Sequence, residues 1–375
     1  VKQRDVAMPA GWRRRGAWLQ FAVTALVLLL PVLVAARGWL SPPTSMEQAR
    51  LQASLAAESS CPEGEVAGRF YLAFVGDAAW PVDDAPAQQR LLWRARLAQL
   101  VGLAGISIWT YLAVLLARGR LQALLATAAL GLLPPFAVDG AVLRPETPAA
   151  FFGGMSLVLL LGLAQGRRDG RRRQSLAASL AVFGSVTCAT VCTGLAVAAS
   201  PTTGEVLLVP GVVLTVAAIQ AGPRGLRALR RRGVAGMPAR ALNRRLLPWM
   251  ALALLTPAVA MVVMRSAIAG PTEALVATRG TGHLFPAAGW LHWPLLALAA
   301  AGAMVALVRV GVQFGRRGRI GPDLVLLLAT AVMVAGSVAG ASDEDPLPAA
   351  PAVAVWCSEG VRACLVWWRR GAARG

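Results

Sequence analysis

Long apolar runs separated by short polar segments dominate this chain. Runs of roughly 20 residues, the length that crosses a bilayer as a helix, occur at about 17–36, 97–117, 121–138, 149–165, 175–199, 206–221, 247–268, 289–310 and 322–341. A tenth at 347–368 is interrupted by Glu359 and Arg362, whose spacing allows them to pair on one helix face. The pattern predicts an all-α integral membrane protein of about ten transmembrane helices, forming a single polytopic domain over 1–375. The first run follows Arg13, Arg14 and Arg15 and is long for the apolar part of a secretory signal. Trp39, Pro42 and Pro43 follow it in place of a small-residue cleavage site. It is read as a retained helix with its N-terminus in the cytoplasm.

The distribution of arginine tests this threading, because cytoplasmic loops collect basic residues. With the N-terminus inside, Arg118 and Arg120, the clusters within 167–173, 224–245 and 316–319, and Arg369, Arg370 and Arg374 all fall on one side. Composition agrees: 57% of residues are hydrophobic and 15% charged, with a mean hydropathy of +0.59, more apolar sequence than a soluble domain buries. The net charge of +19 is distributed as membrane flanks, a pattern that argues against nucleic-acid binding. The Arg-, Ala-, Leu-, Val- and Gly-rich usage fits a GC-rich bacterial genome and hence a multi-pass bacterial inner (plasma) membrane protein.

Most acidic residues fall on the other side. Glu47, Glu58, Glu63, Glu65, Asp77, Asp83, Asp84, Asp139, Glu146, Glu205, Glu273, Asp343, Glu344 and Asp345 are all placed outside. Ordinary loop acidity accounts for such a bias as well as chemistry does. The first outer loop, 37–96, is long enough to carry interfacial helices of its own. Ser45 and Gln48 form a capping-box start ahead of Leu51 and Leu55. After Pro62, the segment 63–75 places Val66, Phe70 and Phe74 on one helical face beside Tyr71. Segment 222–246 reads as a basic interfacial anchor on the cytoplasmic leaflet.

Several chemistries are disfavoured. Cys188 and Cys192, and Cys357 and Cys364, lie within spans, Cys61 stands alone, and structural zinc spacing is absent. His283 and His292 both lie near one end of the eighth span, an arrangement that does not favour bis-histidine haem ligation. Neither a phosphate-cradling glycine loop nor a G-x-S-x-G elbow occurs. Charges in mid-span are scarce, which argues against an ion-coupled transporter.

What remains is an outward hairpin over 138–151, with Asp139, Arg144 and Glu146, opposite the first loop with Glu63 and Glu65. A carboxylate at the interface can act as a general base on an acceptor hydroxyl or hold a divalent metal, and an arginine can neutralise a phosphate leaving group. Arg144 and Glu146 are equally what a hairpin capped at headgroup level would carry.

The segment 94–164, with Arg144-Pro145-Glu146 after a helix pair, resembles the core of the C-type (GT-C) membrane glycosyltransferases. It is most similar to their protein-mannosyltransferase-like and aminoarabinose-transferase-like branch. The stretch from Gly282, GHLFPAAGWLHWPLLALA, and that from Asp345, DPLPAAPAVAVW, resemble two later family motifs in the family's order. Where the family carries an adjacent Asp-Glu pair in its first loop, this chain has Glu63-Gly64-Glu65. The resemblance implies a GT-C-like fold and transfer of a sugar from a polyprenyl-phosphate donor to an acceptor on the outer, periplasmic side. Glu63 or Glu65 would serve as base or metal ligand, with Glu146 supporting the site. Arg144, Asp139, Arg279 and His283 would bind the donor, Arg144 foremost at its phosphate. The altered acidic pair leaves a second expectation open, a non-catalytic GT-C-like scaffold subunit of a larger membrane protein complex.

Overall fold

The computed structural model describes residues 10–40, 47–48, 70–71, 73–75, 84–133, 136, 143, 146–166, 188–189, 191–192, 194–196, 292–317, 326–327, 330–331 and 350–372. Among these the structure is almost entirely helical, with no strand. Six helices carry it: α1 (Ala10–Ala36), α2 (Ala85–Arg118), α3 (Arg120–Leu132), α4 (Glu146–Gly166), α5 (His292–Arg317) and α6 (Ala350–Ala372). A 3-10 turn, Arg37–Leu40, extends α1. The expected spans at 206–221 and 247–268 and the segment 222–246 lie outside the described residues, and those at 175–199 and 322–341 are described only in short helical pieces.

The helix ends follow local chemistry. α2 starts at Ala85, well ahead of the span expected at 97–117, because the Asp84 carboxylate accepts the Ala87 N–H at 3.0 Å and Pro86 occupies the first turn, where its missing N–H costs nothing. The α2–α3 joint is Gly119 alone, at φ +98°, a conformation that residues bearing a Cβ avoid. Its N–H bonds back to Leu115 O and its carbonyl accepts from Ala123 N, both at 3.1 Å. α3 ends at Leu132, short of the expected 138. Leu133 is extended, as a residue preceding a proline tends to be.

Two apolar layers stack along the bundle. One joins Ala35, Leu100, Leu103, Leu130, Ala299 and Val353; the other joins Val114, Ala123, Ala126, Leu157, Leu161 and Val355. Reading α1 to α4 through the layers gives their direction, α2 and α4 one way and α1 and α3 the other; α5 and α6 run with α2, since Arg309 and Glu359 follow their first-layer residues Ala299 and Val353 and meet at the Arg118 end. The α2–α4 seam shows the same parallel sense, since Gly102 packs on Thr147, Gly105 on Phe151 and Gly154 on Trp109. One end of the bundle is therefore marked by Arg96 and Glu146, the other by Arg118.

At the Arg118 end, four helices converge on one carboxylate. Glu359 of α6 accepts from Gln122 Nε2 of α3 at 2.8 Å and from Arg309 Nη2 of α5 at 2.6 Å, and lies 2.6 Å from Arg118 Nη1 of α2. Arg362, spaced to pair directly with Glu359, instead donates to Gln122 Oε1 at 3.2 Å and joins the cluster through that amide. Nearby, Arg120 bonds Gln20 and Thr24 of α1. Elsewhere in the bundle Ser107, Thr110 and Thr127 return their hydroxyls to carbonyls four residues back, so that these helix polar groups are satisfied within their own helix.

Among the described residues two helices, Trp18–Ala36 and Ala85–Arg118, are long and apolar enough to cross a membrane. The first turns large side chains outward, with Trp18 at 72% exposure and Leu26 and Leu29 also exposed, and α5 and α6 do the same at Met304 and at Trp367, 78% exposed.

Two outcomes follow from this packing. Glu359→Ala leaves buried guanidinium groups without their carboxylate and is expected to destabilise by roughly 3–5 kcal/mol, read as a lowered melting temperature of the detergent-solubilised chain. Gly302→Val is expected to split α5 from α6 and lower the melting temperature similarly, because a Cβ at Gly302 would run into the Trp356 carbonyl and the Gly360 backbone.

Candidate functional site

The Arg96 end begins with a buried ion pair. Arg96 and Glu47 are 1% and 0% exposed. Arg96 Nη2 donates to Glu47 Oε2 at 2.8 Å and Nε donates to Oε1 at 3.2 Å, the two-pronged match of guanidinium to carboxylate. The third guanidinium nitrogen, Nη1, donates to Trp39 O at 2.7 Å, and Glu47 Oε1 also accepts the Leu143 N–H at 3.3 Å. Four separate parts of the chain are thereby tied together: the turn after α1, Glu47 of the first loop, α2 and Leu143 ahead of α4. Within this desolvated setting the pair costs less than either partner alone would.

Above the pair, Phe70, Tyr71 and Val75 pack onto protein. Tyr71 and Val75 share an apolar cluster with Leu91, Leu92, Ala95 and Leu143. The Phe70 ring lies 6.2 Å from Phe151 and 6.4 Å from Phe152, centroid to centroid, and the Tyr71 hydroxyl donates to Gln99 Oε1 at 2.6 Å. The helical face expected from Phe70 and Phe74 thus meets α2 and α4, with Phe74 left partly exposed at the rim.

Glu146 opens α4 and is half-buried in its first turn, where the helix dipole favours a negative charge. It is the one predicted site residue among the described residues. Glu63, Glu65, Asp139, Arg144, Arg279 and His283 lie outside them. The chain segments bordering two of these groups do meet, since Tyr71 and Val75, downstream of Glu65, pack with Leu143, the neighbour of Arg144. Among the described residues no group of three or more His, Cys, Asp or Glu is placed to hold a metal ion.

Glu47, Arg96 and Gln99 were not singled out by the sequence reading. A signal for the latter two was present: continuing the α2 period back to Leu92 puts Arg96, Gln99 and Leu103 on one inward face, where an arginine requires an acid. Its partner was not legible, because Glu47 is 49 positions away in a loop.

Comparison of the chain with family models, curated proteins and solved structures returns no match.

Glu47→Ala strands the Arg96 guanidinium and frees the Leu143 N–H. A loss of roughly 3–5 kcal/mol is expected, measured as a melting shift. The paired replacement Glu47→Gln/Arg96→Met is expected to recover a substantial part of it, because no buried charge is then left alone.

Proposed function

We propose that the chain is a multi-pass integral membrane protein of about ten spans, with its N-terminus in the cytoplasm, residing in a bacterial inner membrane. In this reading it is a GT-C-type glycosyltransferase that moves a sugar from a polyprenyl-phosphate donor to an acceptor on the outer side. The outward apolar side chains of α1, α5 and α6 face lipid, and the Arg118 end, toward which the basic termini of α1 and α6 point, faces the cytoplasm.

The observation that carries the functional reading is the packing of residues 70–75 against Leu143 and the start of α4. It brings Phe70, Tyr71 and Val75, which follow Glu63 and Glu65 in sequence, against Leu143 and the first turns of α4, and this supports a two-loop transfer site. Glu63 or Glu65 then takes the acceptor proton or holds a divalent metal, Glu146 supports it, and Arg144 neutralises the departing lipid phosphate. Asp139, Arg279 and His283 complete the donor site.

A second reading, a non-catalytic scaffold subunit of a larger membrane complex, is favoured by a different observation. Glu47, Asp84 and Glu359 are each engaged in structural bonds, so that among the described carboxylates only Glu146 stands at the proposed reaction site.

Single Glu63→Gln, Glu65→Gln and Glu146→Gln variants, assayed in proteoliposomes for transfer from a radiolabelled polyprenyl-phosphate sugar, separate the two. Loss of at least about 100-fold in one of them is expected. Wild-type activity in all three refutes the site, and no transfer by the wild type together with fixed-stoichiometry copurification of other membrane subunits selects the scaffold.

A further inference from the structure

Three buried polar atoms along the α2–α4 seam have no hydrogen-bond partner: Gln99 Nε2, Trp109 Nε1 and Thr147 Oγ1. Gln99 and Thr147 are both 0% exposed. More than nine in ten buried polar groups in folded proteins are satisfied, and each exception calls for a cause. Among the described residues, three such atoms lie along this one seam. Thr147 lies in the first turn of α4 and packs its methyl on Gly102, one turn along α2 from Gln99. The Phe70 ring covers Gly102 from the first loop, within about 3.5 Å of where a Cβ would stand. The Gln99 amide is held by the Tyr71 hydroxyl through one of its ends; turning the amide over would only exchange which end is left over.

We propose that this seam, at Gln99 and Thr147, is a subsite for a neutral hydroxyl-bearing group, the sugar ring of the lipid-linked donor. The proposal rests on the glycosyltransferase reading above. The chemistry selects a hydroxyl over a phosphate: Glu146 already fills the anion-favouring start of α4, and a second negative charge there would be repelled. A sugar hydroxyl accepts from Gln99 Nε2 or Thr147 Oγ1 and donates its own proton toward the Glu146 carboxylate. Phe70, Phe151 and Phe152, mutually in contact at 5.2–6.4 Å, supply apolar faces for the ring's carbon side, the usual composition of a small-molecule site. Ligand entry requires the 70–75 segment to lift from Gly102, so that bound sugar is covered by Phe70.

The test uses the full chain in nanodiscs with two probes, a polyprenyl-phosphate hexose and the same polyprenyl phosphate without sugar, and reads dissociation constants and melting temperatures. The wild type is expected to bind the hexose-bearing lipid about tenfold more tightly than the bare lipid. Thr147→Val, and Gln99→Leu combined with Tyr71→Phe, are expected to abolish that preference, to leave bare-lipid affinity unchanged and to keep the melting temperature at or above the wild-type value. Variants that retain the preference overturn the subsite, as do variants that lose it only with a melting temperature several degrees lower, the mark of a bridging water or a packing role. Equal binding of the two lipids by the wild type refutes the subsite alone, whereas binding of neither refutes the donor-lipid reading and the subsite with it.

Discussion

Arg96 and Arg118 stand 22 positions apart on one helix, and in an apolar bundle neither guanidinium is tolerable without acids and carbonyls to receive it. Each has recruited a distant carboxylate, Glu47 at one end and Glu359 at the other. At 1.5 Å per residue the two sites are about 33 Å apart along α2, close to the roughly 30 Å of a bilayer's hydrocarbon core. Between them lie the apolar layers, hydroxyls bonded to their own helices, and the buried polar groups of Gln99, Trp109 and Thr147. The rest of the bundle is arranged around this division, since α3, α5 and α6 gather on Glu359 while the turn after α1, the first loop and the hairpin gather on the Arg96–Glu47 pair.

That division also explains where chemistry can be placed. The Glu359 cluster joins helices to helices through short, buried bonds and leaves that carboxylate committed. The Arg96–Glu47 pair joins loops to a helix, and thereby fixes the level of Leu143, ahead of the start of α4 at Glu146. Phe70 and Tyr71 then pack on α2 and α4 just beside that level, and the unsatisfied polar atoms of Gln99 and Thr147 lie beneath them. In the proposed reading, this pair holds the reaction site at that level.

Much of the helical frame was legible from apolar runs alone: α4 and α6 lie within a few residues of the spans they predict, while α1 starts and α5 ends about two turns beyond theirs, at arginine-bearing termini where hydropathy falls. The start of α2 was misplaced because hydropathy falls before Leu97 while helical structure continues, carried by the Asp84 cap and by inward positions that include Arg96 and Gln99. The end of α3 was set by Leu133 preceding Pro134, a local constraint that hydropathy does not register. At the site, spacing put Phe70 and Phe74 on one helical face beside Tyr71 but left open whether that face meets lipid or protein; Phe70 and Tyr71 pack on α2 and α4. The partners of Glu359 and Arg96 did not follow from spacing, because a charge pair between residues 49 or more positions apart leaves no periodic trace. Arg362 shows the limit well: its spacing from Glu359 allowed a direct bond, yet the Gln122 amide from α3 stands between them.

In the proposed reading the working face is the Arg96 end and not the arginine-rich Arg118 end, although both could attract a lipid phosphate. Photo-crosslinking of the nanodisc-embedded chain with a polyprenyl-phosphate sugar carrying a diazirine beside the phosphate, followed by peptide mass spectrometry, tests it directly. Adducts confined to residues 70–75 and 143–147 are the expected result. Adducts concentrated around Arg118, Arg309 and Arg362 would contradict it.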